Sequence, residues 1–431
     1  MAEALAVFLN RTPLGTITLE GKEDRYGLEY ARSWLAGPGF SISPHLRPGE
    51  CDSEKVKRFL SNLLPEGKWL EELSVDNQIS KSNIFGLIAL LGAETTGALT
   101  FQYDGAGPEP RPTAFREVSA EELTERIAHR RQVSIAQWDG KPRLSVAGVQ
   151  DKLPIMFRPD GVMGFGEGGL ASTHILKFGR RPDMHMVINE FLCMKLARLI
   201  KLPVAMVSLA RFGEPVLVAE RFDRQWNGEK VERLHVIDGC QLLDLPPIYK
   251  YERPFGKSGE GAKIRTGANL PKLFEACRLC RVPARAIRDL LNWTLFQLLI
   301  GNSDAHAKNI SYFITRTGID PAPGYDLLNI DIYGDEFDRD LAMAIGDEFK
   351  AEKVMPYDLA LYCEECNLPQ RQVATSMKSL CKTVLGNLGR LPMDNVLAGD
   401  EMDFAQELIR RIASKAQRFL EIAEELPQVK L

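Results

Sequence analysis

The stretch "GNSDAHAKN", residues 301–309, places an aspartate, a histidine, a lysine and an asparagine within six positions. It follows directly on residues 287–300, "IRDLLNWTLFQLLI", whose apolar pattern predicts a rigid, buried helix. Charged and amide side chains gain nothing from burial unless they find polar partners, so their concentration at the end of such a helix needs a chemical explanation.

Length, composition and charge exclude several classes of protein. The chain has 431 residues, enough for two or three domains, and 45% of its residues are apolar, which predicts sizeable cores. Its net charge of −4 argues against nucleic-acid binding along the whole chain. No apolar run reaches the roughly 18 residues that span a bilayer, and the start does not resemble a signal peptide. We therefore expect a cytoplasmic protein with no membrane segment.

Two of the cysteine pairs have the Cys-x-x-Cys spacing that zinc sites use. They are Cys277 with Cys280 in "CRLC" and Cys363 with Cys366 in "CEEC". Both pairs lie in helix-like stretches without the turn glycines of a zinc knuckle, and cysteine packs well on helix faces. We expect packed thiols and no structural zinc.

Changes in pattern along the chain predict an α+β protein. Ser119, with Glu122 three positions on, marks the start of a helix, and "RPDG" (158–161) marks a hairpin turn. Five runs after residue 150 predict short strands: "KLPIMFR", "MGFGE", "THILKF", "VSLARF" and "PVLVAERF". The predicted segments are a β-rich subdomain (1–103), a linker and helix (104–134), a strand-rich lobe with one helix (135–223) and an almost wholly helical lobe (224–431).

A small β-lobe with one helix, followed by a large helical lobe, is the outline of a protein-kinase-like fold. We therefore predict a two-lobe, protein-kinase-like α+β fold with an extra N-terminal β-rich subdomain and a large all-helical C-terminal lobe.

The cluster at 301–309 fits the demands of phosphoryl transfer. That reaction uses an Asp to accept or orient the nucleophile, oxygen ligands for Mg²⁺ and a Lys to neutralise phosphate. Asp304 and Asn309 have the Asp-x4-Asn spacing of kinase catalytic loops, and the following hairpin pattern ends at Asp326. On the spacing alone, a simpler interpretation is that Asp304 caps a helix and Asn309 occupies a turn. The β-lobe upstream and Asp326 downstream favour the catalytic interpretation.

The strand-rich lobe offers candidates for binding phosphate. "THILK" ends a strand at Lys177, and Glu190 in the next helix could pair with it. "GFGEGG" (164–169) fits G-x-G-x-x-G, but the strand that follows excludes a dinucleotide site, which needs a helix there. "LSVAGVQDK" (144–152) remains as the phosphate loop. "FGKSG" (255–259) is not a Walker A motif, because Tyr251 stands where that motif needs Gly.

Taken together, the ordered motifs resemble HipA-type serine/threonine kinases of bacterial toxin–antitoxin systems over nearly the whole chain. The similarity lies in "NLLPEG", "LLGAETTGALTF", "LSVAGVQDK", "THILKF", "NEF", "AERFDRQW", "DGCQ", "GNSDAHAKN" and "YDLL".

This resemblance implies ATP and Mg²⁺ as cofactors and a role for each matching residue. Asp304 would be the catalytic base, Asn309 and Asp326 the Mg²⁺ ligands, and Lys177 the contact to the α/β phosphates. His306 and Lys308 would lie in the catalytic loop, where Lys308 could help neutralise the γ-phosphate. The phosphate loop would comprise Ala147, Gly148, Val149, Gln150, Asp151 and Lys152, and the adenine-facing hinge Glu220, Arg221 and Phe222.

The resemblance also implies partners and regulation. Members of the family phosphorylate an aminoacyl-tRNA synthetase, bind a helix-turn-helix antitoxin of the HipB type, and autophosphorylate the Ser that matches Ser145. Contact with DNA would then be indirect, through the antitoxin. Residues 249–274 and "GFGEGG" are outside the matching motifs and leave substrate recognition open.

Two other functions remain as alternatives. A small-molecule kinase of the same fold would share the Asp-x4-Asn loop but not "SVAGVQDK" or "NLLPEG". A catalytically silent co-repressor partner of an antitoxin is the second alternative, although it would have no need to keep Asp304, Asn309, Asp326 and Lys177 together.

Overall fold

The computed structural model describes residues 3–37, 39–92, 95–103, 113–143 and 151–431. The chain forms two compact units, each assembled from segments that are distant in sequence. The first comprises Met1–Arg180, Ala210–Ile237 and Tyr312–Gly318, and the second Arg181–Leu209, Asp238–Ser311 and Ile319–Leu431. The division into four sequence segments remains a prediction.

The first unit contains an antiparallel four-stranded sheet. Its strands, in spatial order, are Arg25–Tyr30, Thr12–Glu20, Glu3–Leu9 and Leu99–Tyr103. Leu5 and Val7 are fully buried at alternate positions of one strand, as expected for a sheet with one face on the core. The helices between the strands Arg25–Tyr30 and Leu99–Tyr103 in the sequence are Arg32–Ala36, Ser53–Ser61, Lys68–Asp76 and Ile84–Leu91.

A six-stranded sheet includes all five predicted strands. In spatial order the strands are Val207–Phe212, Glu214–Glu220, His174–Phe178, Lys152–Phe157, Met163–Glu167 and Ala114–Glu117. The hairpin turn at "RPDG" is confirmed, with Gly161 at φ +88°. The helix Ala120–Ala128 begins as predicted, because the Ser119 side chain accepts a hydrogen bond from the Glu122 N–H at 3.1 Å.

The first two glycines of "GFGEGG", Gly164 and Gly166, lie in a paired strand. The strand Met163–Glu167 pairs with Ala114–Glu117, so that Glu117 lies opposite Gly164 and Phe115 opposite Gly166. A Cβ on Gly164 would lie 2.2 Å from the Arg116 carbonyl oxygen. Glycine is therefore required at this position by the close approach of the neighbouring strand, a reason unrelated to binding phosphate.

A buried polar cluster joins the residues just before the strand Leu99–Tyr103 to the segment after the strand Glu214–Glu220. This junction cluster consists of Thr95, Gly97, Arg221, Asp223 and Arg224. The Asp223 carboxylate accepts from the Gly97 N–H at 2.8 Å and from both guanidinium groups. Arg224 also donates to the carbonyls of Gly97 and Thr95. Although burial alone would raise it, the two cations hold the pKa of Asp223 below its usual range.

The second unit is mainly helical. Its helices are Met186–Leu199, Gly239–Leu242, Leu270–Ala276, Pro283–Ile300, Pro356–Glu365, Gln370–Asn387 and Glu401–Glu425. The last of these buries Leu408, Ile412 and Phe419 at helical spacing, and it packs against Gln370–Asn387 and Pro283–Ile300. Among the helices of the described residues, none is long and apolar enough to cross a membrane.

Short strands and 3-10 turns complete the described structure. The strand pairs are Gln137–Trp138 with Lys141–Pro142 and Arg224–Trp226 with Val231–Arg233; Val236–Asp238, Ser311–Thr315 and Gly318–Pro321 form a three-stranded sheet. The 3-10 turns are Pro182–Met184, Pro247–Lys250, Gly259–Lys263, Cys277–Leu279, Ala307–Asn309, Asp331–Glu336, Ala351–Lys353, Leu388–Arg390 and Leu426–Gln428.

A hairpin of Asp340–Ile345 with Glu348–Lys350 lies where the sequence predicted helix. Its run "DLAMAI" is buried from Leu341 to Ile345, so it lacks the alternation that would have revealed a half-exposed strand.

Candidate active site

The helix Pro283–Ile300 carries the charged cluster, as the sequence predicted. Its C-cap is Gly301, which adopts the left-handed conformation (φ +72°) that a residue without a Cβ takes readily. The chain can therefore turn sharply from a buried helix into the 301–309 loop.

Side chains just after the helix anchor this loop. Buried Asn302 accepts a hydrogen bond from the Asp304 N–H at 3.1 Å and donates to the Gln297 side chain at 2.9 Å. The Ser303 hydroxyl donates to the Asp338 carbonyl at 2.8 Å. The loop is thus held by its own polar residues, which satisfy backbone groups that a packed helix end would leave unpaired.

Asp304 is exposed and has a hydrogen-bonded partner on each side. The Tyr251 hydroxyl donates to its Oδ1 at 2.8 Å, and Asn309 Nδ2 donates to its carbonyl oxygen at 3.1 Å. Since Nδ2 of Asn309 is used in this way, its Oδ1 is oriented away from the Asp304 carbonyl. His306 is buried, and its ring lies edge-on to that of Tyr251, with centroids 5.1 Å apart.

Asp326 lies beside the loop. Asn302 Nδ2 approaches its carbonyl oxygen at 3.4 Å, and the neighbouring Tyr325 hydroxyl donates to the Lys308 carbonyl at 2.7 Å. Asp326 has φ +60°, an uncommon conformation for a residue with a side chain. Such strain persists only where surrounding contacts enforce it, and it concentrates at functional sites.

Lys308 has a partner that the sequence did not suggest. Its ammonium contacts the Asp238 carboxylate at 2.8 Å, and only 4% of its side chain is exposed. Asp238 also caps the helix Gly239–Leu242 in a reciprocal capping box with Gln241. A Cβ on Gly239 would lie 2.5 Å from the Ala307 carbonyl oxygen, so "DGCQ" supports the loop sterically as well as by charge. The phosphate contact of Lys308 remains a prediction.

In the first unit, Lys177 lies on the strand His174–Phe178, directly opposite Lys152 on the adjacent strand. Directly opposed residues of an antiparallel pair have their side chains on the same face, so two ammonium groups share one face of the sheet. Asp151, just before Lys152, lies 3.9 Å from the Arg130 guanidinium.

The predicted hinge follows the strand Glu214–Glu220. Glu220 is exposed, and the Phe222 ring lies edge-on to that of Phe313 at 5.9 Å. The Arg221 side chain is committed to Asp223 within the junction cluster and to the Ser172 hydroxyl. Its described contacts are therefore structural.

Part of the predicted phosphate loop lies outside the described residues. Ser145, Ala147, Gly148, Val149 and Gln150 belong to this part, and their assignments stay predictions.

The donor chemistry of Asn309 and Asp326 fits Mg²⁺. An amide oxygen and a carboxylate are hard ligands, and Mg²⁺ commonly takes one or two protein oxygens together with substrate phosphates and water. Across the described residues there is no group of three or more His, Cys, Asp or Glu that could hold a metal alone. Two protein ligands plus a phosphate remain compatible with this donor set.

The four cysteines of "CRLC" and "CEEC" are buried. Burial raises the pKa of Cys280 and of Cys363 to about 12, which favours protonated thiols. The expectation of no structural zinc stays a prediction.

Several residues of the site have roles that the sequence did not reveal. Asn189 accepts from the Asn329 N–H and donates to the Asn329 carbonyl, so it ties the helix Met186–Leu199 to the segment after Asp326. The neighbouring Glu190, which the sequence did single out, is buried in the same helix. The Asx pattern of "NSD" could have indicated Asn302, since Asn often bonds the backbone two residues on. Asn189 and Tyr251 act over more than fifty residues, so no local pattern marks them.

Comparison with known proteins identifies the class first. The chain is 37% identical, over 99% of its length and 98% of the relative, to the serine/threonine-protein kinase toxin HipA of Shewanella oneidensis. It is 34% identical, over 77% of its length and 79% of the relative, to the putative kinase Y4mE of Sinorhizobium fredii. With its kinase-like fold, the chain is a serine/threonine-protein kinase.

Family profiles and a solved structure give the narrower assignment. The HipA N-terminal domain matches residues 5–102, and the HipA-like C-terminal domain matches residues 144–388. The HipA chain in the Shewanella oneidensis complex of HipA, HipB and operator DNA superposes with a TM-score of 0.90, covering 99% of this chain and all of that one. The chain belongs to the HipA family of toxin–antitoxin kinases.

Proposed function

We propose that this kinase transfers the γ-phosphoryl group of ATP to serine or threonine, with Asp304 as general base. The observation that carries the proposal is the 301–309 loop, where Asp304 is exposed, bonded to Asn309 and linked through Asn302 to the strained Asp326. When bound, Mg²⁺ would neutralise charge on the transferring phosphate. Asn309 and Asp326 would supply its protein ligands.

The strand-rich part of the first unit would bind the nucleotide. Lys177 and Lys152, directly opposed on adjacent strands, offer two positive charges to phosphate oxygens. Glu220 to Phe222 would face the adenine, with the main chain and the Phe222 ring as the contacts, because the Arg221 side chain is engaged elsewhere. His306 and Lys308 would complete the loop that faces the γ-phosphate.

Ser145 would be the autophosphorylation site that turns the kinase off. A phosphate on this residue adds about −1.5 to −2 charges next to the proposed phosphate loop, residues 147–152, where it would repel ATP. Family membership supports this proposal. Incubation with ATP should place phosphate on Ser145, and Ser145→Asp should fold normally yet bind ATP weakly. An unmodified Ser145 together with normal ATP affinity in the Asp variant would contradict it.

The partners follow from the relatives. HipA of Shewanella oneidensis forms a complex with HipB and operator DNA. We propose that this chain likewise binds a helix-turn-helix antitoxin and reaches DNA through it. We further propose that its substrate in the cytoplasm is a translation protein, with an aminoacyl-tRNA synthetase as the first candidate. Phosphoproteomics of cells that express wild type or Asp304→Asn should reveal a synthetase phosphopeptide that only the wild type produces.

The metal assignment has its own test. Asp326→Asn should abolish phosphate transfer at ordinary Mg²⁺ concentration, since both protein ligands would then be neutral amides. Near-normal transfer by this variant would overturn the assignment of Asp326 as a metal ligand. Glu336→Gln, which changes an exposed carboxylate paired with Arg181 in the same unit, is the control.

A further inference from the structure

The Tyr251 hydroxyl donates its hydrogen bond to the proposed base itself, at Oδ1 of Asp304. Its ring also contacts His306 edge-on, and the Lys250 ammonium lies 5.3 Å from the ring centroid on its face. Three groups therefore fix the position of this phenol.

Main-chain hydrogen bonds fix the relative positions of Tyr251 and Asp304 through a single residue, Ala342. The Ala342 N–H donates to the Ser303 carbonyl at 2.8 Å, and its carbonyl accepts from the Glu252 N–H at 2.9 Å. Ser303 and Glu252 are the chain neighbours of Asp304 and Tyr251. The strand Asp340–Ile345 thus sets the distance between the phenol and the carboxylate.

Residues 249–268 form a segment that we call the 249–268 loop. Main-chain hydrogen bonds join its two ends to each other. The Ala268 N–H donates to the Tyr249 carbonyl at 2.8 Å, and the Gly267 N–H donates to the Glu252 carbonyl at 3.2 Å. A Cβ on Gly267 would lie 1.8 Å from the Tyr251 carbonyl oxygen, so only glycine allows this closure.

Buried charge strengthens the anchoring. The Glu252 carboxylate, on a residue 2% exposed, accepts from the Ala344 N–H and from Arg265. Arg253 stacks over the Phe349 ring, and Lys257 pairs with Asp338 at 2.7 Å. These contacts and the joined ends of the loop hold Tyr251 in a fixed position beside Asp304.

We propose that Tyr251 is a positioning residue for phosphate transfer, which holds Oδ1 of Asp304 so that Oδ2 faces the acceptor hydroxyl. The terminal torsion of an aspartate is broad, so an unheld carboxylate samples many orientations. The inference rests on the proposed function, in which Asp304 is the base. In that step the acceptor gives its proton to Oδ2 as its oxygen bonds to the γ-phosphorus, and the bond from that phosphorus to ADP breaks. Tyr251 keeps its own proton.

The test removes only the hydroxyl. Tyr251→Phe should lower the maximal rate of label transfer from γ-labelled ATP about 10- to 100-fold, because misplacing a catalytic group by about 1 Å can cost 100-fold. The ATP concentration for half-maximal rate should not change, since Tyr251 is proposed to act on the acceptor side. Acceptors are the purified chain itself and a heat-treated, desalted bacterial lysate.

Two further variants separate positioning from structure. Replacing Tyr251 by 4-aminophenylalanine keeps a donor at the same place and should restore most of the rate. Tyr249→Phe removes a phenol hydroxyl from the same loop, on a ring that contacts Phe255, and should leave the rate unchanged. An unchanged or increased rate in Tyr251→Phe overturns the inference, and so does a loss that the amino analogue fails to restore.

The double variant distinguishes this inference from the proposed function. If Asp304→Asn lowers the rate as expected, adding Tyr251→Phe should lower the residual rate no further, because the phenol acts only through that carboxylate. If Asp304→Asn keeps a substantial rate, or if the wild type transfers no phosphate, the assignment of Asp304 as base is contradicted. The proposed function then fails, and this inference fails with it. An inactive Asp304→Asn beside a normal Tyr251→Phe removes only the role of Tyr251.

Discussion

The junction cluster and the 301–309 loop each centre on a hydrogen-bonded aspartate, but in opposite environments. Asp223 is buried, and its carboxylate accepts hydrogen bonds from two guanidinium groups and from the Gly97 N–H, all within the fold. Asp304 is exposed, with its main chain anchored and one carboxylate oxygen held by Tyr251. An aspartate that is enclosed by its partners thus stabilises the fold. An aspartate that its partners hold from one side only remains available for chemistry.

The largest expected effect separates the two aspartates by activity. Asp304→Asn should lower phosphate transfer by about 10² to 10⁴, as is typical when a general base is removed. Its melting temperature should barely change, because the side chain is exposed. Rates with γ-labelled ATP and a thermal melt measure both. Asp183→Asn, an exposed carboxylate in the same unit, is the control, and a substantial rate in Asp304→Asn would end its assignment as base.

The next effect is on stability. Asp223→Ala should lower the free energy of unfolding by about 3 to 5 kcal/mol, because it leaves two buried guanidinium groups without their anion. Denaturant titration measures the loss. Glu20→Ala, which breaks an exposed ion pair with Arg25 in the same unit, should cost no more than about 1 kcal/mol. Equal effects of the two variants would remove the contrast between buried and exposed carboxylates.

As pH falls, the region around the junction cluster should lose stability before Asp223 becomes protonated. Buried His235, whose Nε2 bonds the Ile42 carbonyl, has its pKa lowered by burial from 6.5 to about 4. The unfolded chain therefore binds a proton at a higher pH than the native chain. This contribution to stability is complete above pH 6.5 and is lost as pH falls toward 4, to a total on the order of 3 kcal/mol.

His235→Gln tests that assignment, because glutamine can still donate to the Ile42 carbonyl but does not titrate. Unfolding free energies measured from pH 7 to 4 should fall less steeply in this variant than in wild type. Burial lowers the pKa of His174 as well, so a smaller dependence in the same direction should remain. Identical slopes in variant and wild type would show that His235 contributes nothing.

The smallest expected effect concerns the buried thiols. If "CRLC" and "CEEC" are packed helix faces, elemental analysis should find well under one zinc per chain, and a chelator should leave the melting temperature unchanged. Stoichiometric zinc would show that the four thiols bind metal and are not simply packed against helix faces. The contrast between the two aspartates would not change.

Local patterns predicted much of the fold, and family motifs predicted candidates for the site. Strand-like runs predicted five strands of the six-stranded sheet but missed Ala114–Glu117, which lies in the segment predicted as linker and helix. The cap at Ser119 predicted a helix start, because it depends on neighbours a few residues away. The Asp-x4-Asn spacing and the helix before it predicted the 301–309 loop. The residues that hold the predicted ones were missed: Asp223 bonds a glycine 126 positions away, and Tyr251 bonds Asp304 across 53. No short-range periodicity records such contacts.

The hydrogen bonds that join the ends of the 249–268 loop have a practical consequence for protein engineering. The bond between Glu252 and Gly267, and the pairing of Arg265 with Glu252, isolate the exposed residues 258–260 from Tyr251. Lengthening a loop whose ends are already joined costs little, roughly 0.6 kcal/mol for each doubling. A peptide tag or a fluorophore-bearing insertion between Ser258 and Gly259 would therefore extend only the exposed tip. This position can carry a reporter in the same loop as Tyr251, which bonds the proposed base.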